Sequence, residues 1–127
     1  MTAASVAADV ETAAAELEEA FPGMIHWEPD ENGGAYMTVE IVLGERWTRS
    51  RAPVTFHVPY NYPFAPIYPY YLPEDVTPVD GWPPALQRAQ WQGSAVVQVS
   101  LRHNAWDPSR DNAVGCVLQM QAWAREQ

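Results

Sequence analysis

Phe56-His57-Val58-Pro59-Tyr60-Asn61-Tyr62-Pro63-Phe64-Ala65-Pro66 is the stretch on which the reading of the fold turns. Up to Val58 it alternates: Val54, Phe56 and Val58 share one face while His57 points to the other, the period of a half-buried strand. From Pro59 the alternation stops. Nine of the twelve prolines lie between Pro53 and Pro84, and five of the six tyrosines between Tyr60 and Tyr71. Proline fixes φ and has no N–H, so this segment reads as rigid irregular chain rather than sheet interior. Its aromatic residues Tyr60, Tyr62 and Phe64, with Trp82 and Trp91 in the loop beyond, are candidate anchors for a partner. Packing beneath the long loop is the competing use, and Tyr62 and Phe64 are expected to be buried.

Working upstream, Met37, Val39, Ile41 and Leu43 alternate with Thr38, Glu40 and Val42, a second half-buried strand. Met24–Glu28 reads as a shorter strand, joined to it through the turn signal Asn32-Gly33-Gly34. Ile67–Tyr71 reads as a fourth strand, which Pro66 and Pro69 restrict to an edge. Residues 2–20 carry Val6, Val10, Ala13, Leu17 and Phe21 at helical spacing, with Thr2 or Ser5 to cap the helix and Pro22-Gly23 to stop it. The outer face of that helix holds Asp9, Glu11, Glu16, Glu18 and Glu19 and reads as a solvated face.

Downstream, residues 72–95 read as loop with one turn of helix near Ala85–Gln90, followed by the apolar run Ala95–Val99. After Trp106-Asp107-Pro108-Ser109 a last helix runs to about Glu126, capped by Asp107 or Ser109. Its apolar stripe is Ala113, Cys116, Val117, Met120, Trp123 and Ala124. The expected architecture is α+β: an N-terminal helix, a four-stranded antiparallel meander, a proline-rich loop and a C-terminal helix. It forms one domain over residues 1–127, with no internal repeat or linker.

Composition narrows the function. The chain has 7 Lys+Arg against 16 Asp+Glu, a formal net charge of −9, which disfavours nucleic acid as a partner because phosphate binding needs basic side chains. No apolar run approaches the roughly 18 residues of a membrane span, and the first twenty residues lack a secretory pattern. A single cysteine excludes an internal disulfide and fits the cytoplasm. All seven basic residues are arginine, so no side chain carries a primary amine; a coding bias toward arginine accounts for the pattern.

Few residues carry chemistry. Cys116 sits on the apolar stripe of the last helix, where a thiol is core packing rather than a nucleophile. His26 and His57 read as surface or edge residues. His103, in Ser100-Leu101-Arg102-His103-Asn104, lies in a polar cluster between an apolar run and a helix start, where folds place exposed functional groups. The same three residues Arg102, His103 and Asn104 equally serve to satisfy backbone groups in a turn. No two histidines share a helix face at metal-ligand spacing, no glycine-rich phosphate loop occurs and no Gly-x-Ser-x-Gly is present, so neither a metal nor a cofactor is expected.

The order of elements, the run Phe56–Pro66 and Trp106-Asp107-Pro108 together resemble the ubiquitin-conjugating-enzyme superfamily. Tyr62-Pro63-Phe64-Ala65-Pro66-Ile67 is similar to the family's Tyr-Pro-Phe-x-Pro-Pro turn, with Ile67 in place of the second proline. Trp106-Asp107-Pro108 is similar to its Trp-x-Pro. The family's catalytic cysteine lies upstream of that tryptophan, but here the corresponding stretch, Ala95-Val96-Val97-Gln98-Val99, has none, and Ala89-Gln90-Trp91 stands where His-Pro-Asn is usual. Cys116 lies ten residues after Trp106 and does not substitute. Arg102-His103, Trp106, Pro108 and Asp111 resemble a prokaryotic branch with the pattern Trp-Ser-Arg-His…Trp-x-Pro-Gly-x-Asp, Ser109 replacing the glycine.

The resemblance implies a conjugating-enzyme-like protein of a bacterial ubiquitin-like modification system. With no thiolate to attack and leave, the chain is expected to act as a non-thioester binding or accessory subunit. Its partners would be a ubiquitin-like protein or the activating enzyme, with Tyr60, Tyr62, Phe64, Trp82, Trp91 and Trp106 as binding residues. It would act as a monomer or in a small complex. The alternatives are acyl transfer by His103, assisted by Arg102 and Asn104, and a plain interaction domain.

Overall fold

The computed structural model describes residues 6–102 and 105–127; the expected caps Thr2 and Ser5, and the residues His103 and Asn104, lie outside them. Helix α1 (Ala8–Ala20) precedes strands β1 (Ile25–Pro29), β2 (Ala35–Val42) and β3 (Arg51–Val58). There follow β4 (Tyr70–Pro73), β5 (Leu86–Trp91), β6 (Ser94–Val99) and helix α2 (Ala113–Arg125). The strands form one antiparallel sheet in the order β1-β2-β3-β4-β6-β5.

Alternation in β2 and β3 decides which face is buried. Ala35, Met37, Val39 and Ile41 of β2, with Ala52, Val54, Phe56 and Val58 of β3, lie in one core with Val10, Ala13 and Leu17 of α1. Cys116, Val117, Met120 and Ala124 of α2 complete it. Both helices therefore cover the same face of the sheet, and the opposite face, carrying Tyr36, Thr38, Thr55, His57 and Tyr71, stays partly open. Helix α1 begins at Ala7 without a side-chain cap, and the Ala7 N–H donates to the Gly33 carbonyl at 2.8 Å.

The sheet has six strands, not the expected four. Leu86–Trp91 is strand β5 rather than a turn of helix. Among the described residues its burial shows no period, because it is an edge strand whose Gln87, Arg88 and Gln90 are all exposed. Gln92 and Gly93, at φ +51° and +78°, make a two-residue hairpin turn in which both central residues are left-handed. Such turns usually announce themselves as Asn-Gly or Asp-Gly, and Gln-Gly does not. Strand β4 is also shifted from Ile67–Tyr71 and lies inside the sheet, between β3 and β6. Its ladder with β3 is only two pairs long, Thr55 with Tyr71 and Phe56 with Tyr70, so it starts beyond Pro69.

The β1–β2 turn is held by Asp30. Its Oδ1 accepts the N–H groups of Asn32 (2.7 Å) and Gly34 (2.9 Å), and its Oδ2 lies 2.6 Å from Nε2 of His57 on β3. A Cβ at Gly34 would stand 2.4 Å from the Val58 carbonyl oxygen and 2.6 Å from Asp30 Oδ2, so only glycine fits. The Asp30 side chain is 6% exposed. Burial alone would raise its pKa, but the hydrogen bonds from His57, Asn32 and Gly34 outweigh it and hold the carboxyl below its ordinary 3.8.

A depressed native pKa adds stability that is fully present above the ordinary value and is lost as pH falls through the lower native one. Asp30→Ala should therefore cost about 1–3 kcal/mol near neutral pH, through unpaired turn donors. The gap to the parent protein should narrow on acidification below the ordinary carboxylate value, as the charge-dependent part of these bonds is lost. Urea unfolding at a series of pH values measures it, and a gap independent of pH contradicts the assignment.

Candidate functional site

The chain leaves β3 through two tight turns, in which the Tyr62 N–H donates to Pro59 O (3.0 Å) and the Phe64 N–H to Asn61 O (2.8 Å). The Tyr62-Pro63 and Tyr68-Pro69 peptide bonds are cis. These turns throw Tyr60 and Phe64 into solvent, at 66% and 77% exposure, and point Tyr62 inward at 5%. Phe64 is thus not the buried residue expected of it, because among the described residues no element folds over its side chain on the outside of the turn.

Tyr62 and Trp106 tie this turn to α2. The Tyr62 hydroxyl oxygen accepts the N–H of Ala113, the first residue of α2, at 2.9 Å. Trp106 Nε1 donates to Pro63 O at 2.7 Å. Asn112, not Asp107 or Ser109, caps α2: its Oδ1 accepts the Gly115 N–H at 2.9 Å. Asp107 instead closes a separate turn, accepting from the N–H (3.0 Å) and hydroxyl (2.6 Å) of Ser109, and its own N–H donates to Asp111 Oδ2 at 2.8 Å.

Beside the brace lies a cleft of about 240 Å³ between the segment before α2 and α2 itself. Arg102, Trp106 and Arg110 form its rim, and Cys116 contributes to its lining. The Arg102 guanidinium sits 4.2 Å from the centre of the Tyr68 ring, and Arg110 Nε is 3.6 Å from Asp111 Oδ1. The thiol at this cleft is not poised for chemistry. Cys116 is 2% exposed, and burial pushes its pKa up to about 11. The negative charge of Asp111 adds to the rise, while hydrogen bonds with Tyr70 and the Ile67 backbone only partly offset it. With that pKa, on the order of one thiol in ten thousand is ionised at pH 7.

Of the residues expected to act in catalysis, only Arg102 is described; His103 and Asn104 lie outside the described residues. The expected binding residues divide among three places. Tyr60, Tyr62, Phe64 and Trp106 gather at the start of α2, where Tyr62 and Trp106 form the brace and Tyr60 and Phe64 are presented to solvent. Trp82, 39% exposed, lies near Arg46 and Gln127 at the other end of α2, about 20 Å away for a helix of this length. Trp91 lies on the open sheet face, stacked on Tyr71 (4.4 Å, 13°) and edge-on to Tyr36 (5.6 Å). The Asp30–His57 pair carried no sequence signal, since its members are 27 residues apart and join only when β1 and β3 flank β2.

Among the described residues no group of three or more His, Cys, Asp or Glu side chains is placed to hold a metal ion. Nor is any helix long and apolar enough to cross a membrane.

The brace is testable by stability. Tyr62→Phe deletes the acceptor and leaves the buried Ala113 N–H unpaired, so it should lower unfolding free energy by about 1–3 kcal/mol. Tyr60→Phe, on the exposed side of the same turn, should change it by less than about 0.5 kcal/mol. Denaturant titration of both variants separates the two roles; equal effects refute the brace.

Comparison with known families, curated proteins and solved structures returns no match, so function is argued from this geometry alone.

Proposed function

We propose that the chain is a conjugating-enzyme-like protein of a bacterial ubiquitin-like modification system that works without a thioester. It acts as a binding or accessory subunit that contacts the ubiquitin-like protein or its activating enzyme. The observation that carries this reading is the pairing of a braced, solvent-presented Tyr60/Phe64 turn with a sealed thiol. The turn is fixed by the bonds from Tyr62 and Trp106, so the backbone that carries its two exposed rings loses little freedom on binding.

The position corresponding to the family's cysteine segment, Ala95–Val99, falls in β6, hydrogen-bonded to β4 on one side and β5 on the other. Val97 and Val99 there are buried. None of these five residues is a cysteine, which supports a role in binding rather than acyl carriage. Acyl transfer through His103 is the weaker reading, because an acyl-imidazole is far more labile in water than a thioester.

Incubation with ATP, the activating enzyme and the ubiquitin-like protein should give no reductant-sensitive adduct, and Cys116→Ala should behave as the parent does. Replacing Tyr60 and Phe64 together by alanine should weaken partner binding about tenfold or more while leaving stability within about 0.5 kcal/mol. Calorimetric titration and denaturant unfolding give the two numbers. An adduct abolished by Cys116→Ala, or no binding at high micromolar concentration, overturns the reading.

A further inference from the structure

Strand β1 is an edge of the sheet, and its pairing with β2 determines which of its backbone groups are left over. Asp30 N donates to Gly34 O and Glu40 N to Met24 O, so the even-numbered residues of β1 turn their backbone groups toward β2. Ile25 and Trp27 therefore direct N–H and C=O outward, away from the sheet. Their side chains share the face of Met37 and Val39, under α1, where both are only partly buried. A groove of about 560 Å³ runs here between α1 and β1. Ala14, Ala15, Ile25 and Trp27 give it an apolar floor, and Glu11 and Glu18 stand along its helix side.

The other edge of the sheet is protected differently. Arg88 on β5 pairs with the buried Val97, which puts its charged side chain on the helix-covered face, where Nη1 reaches the Glu74 carbonyl at 3.5 Å. Although exposed, a charge on that face of an edge strand discourages strand addition. Among the described residues strand β1 carries no charge on that face: Ile25 and Trp27 occupy it, and the edge proline Pro29 stands only at its end.

From this geometry we infer that β1 takes an extended segment of a partner protein as a seventh strand, with arginine or lysine at alternate positions. Residues of the added strand opposite Ile25 and Trp27 exchange backbone hydrogen bonds with them and place their side chains in the groove. A long basic side chain fits both parts of it, since its aliphatic stem covers Ile25, Trp27 and Ala15 while its head reaches Glu11 or Glu18. Charge selects the occupant. A second copy of this chain would bring its own Glu11 and Glu18 toward the same two acids, on a chain of net charge −9. A basic segment is attracted instead, and its approach is accelerated by that field. The inference stands apart from the function proposed above and concerns a different surface.

The test uses the full chain and three synthetic peptides of equal length: alternating Arg-Val, alternating Glu-Val, and Arg-Val methylated on alternate backbone nitrogens that would face β1. Binding is followed by fluorescence anisotropy, and amide hydrogen exchange is read at Ile25 and Trp27. The Arg-Val peptide should bind and slow exchange at those two amides, whereas the Glu-Val and methylated peptides should not. The exposed double variant Glu11→Gln/Glu18→Gln should weaken binding about fivefold with its fold intact. Unaltered exchange at Ile25 and Trp27, equal binding of the methylated peptide, or self-association through β1 without peptide each overturns the inference.

Discussion

The hydroxyl of Tyr62 does for α2 what a second capping residue would do. The first turn of any helix leaves backbone donors without partners, and a buried one left unpaired costs about 1–3 kcal/mol. Here Asn112 serves Gly115 from within the helix start, and Tyr62, 51 residues away in sequence, serves Ala113. The Trp106 indole adds a second link from the same segment to the Pro63 carbonyl. Further along α2, Gln121 accepts the Val42 N–H at 3.0 Å and Trp47 donates to the Ala124 carbonyl at 2.9 Å. The helix is thus pinned at its start and end to the connections that follow β3 and β2, and between them to Val42 of the sheet. The position of the Tyr60/Phe64 turn follows from the first of these bonds.

The two faces of the sheet are managed by different physics. The helix-covered face is an apolar core, closed by α1 and α2. The open face carries a chain of rings instead: His57 lies 5.0 Å from Tyr36, Tyr36 contacts Trp91, and Trp91 stacks on Tyr71. Trp91 stands at the tip of the β5–β6 hairpin, so the stacking ties that hairpin back over the centre of the sheet. The two additional strands are therefore held by side-chain contacts as well as by the β4–β6 ladder.

Elements with one strongly buried face were legible in the sequence. Met37, Val39 and Ile41 of β2 and Val54, Phe56 and Val58 of β3 show the period of two. The stripe of α2 from Ala113 to Ala124 shows the helical one, with the thiol of Cys116 on it. Strand β5 was not legible, because an edge strand with polar residues on both faces has no period, and its Gln92-Gly93 turn has an uncommon composition. At the candidate site, the aromatic segment itself was visible, but its division was not. Tyr62 and Phe64 are two residues apart in the same proline-rich run, and only the backbone turns send one inward and the other outward. Likewise Asn112 is the cap because α2 starts at Ala113, several residues later than the sequence pattern implied, which leaves Asp107 and Ser109 in a separate turn.

The unequal edges of the sheet bear on how large any assembly built from it can become. A filament grows by strand pairing only if every added unit leaves a fresh receptive margin behind it. This chain sets Arg88 over the Trp82 ring at 5.0 Å on the β5 margin, while the β1 margin carries Ile25 and Trp27 on the same face. Head-to-tail growth needs β1 of one copy to pair with β5 of the next, and the charged β5 margin disfavours that step from the start.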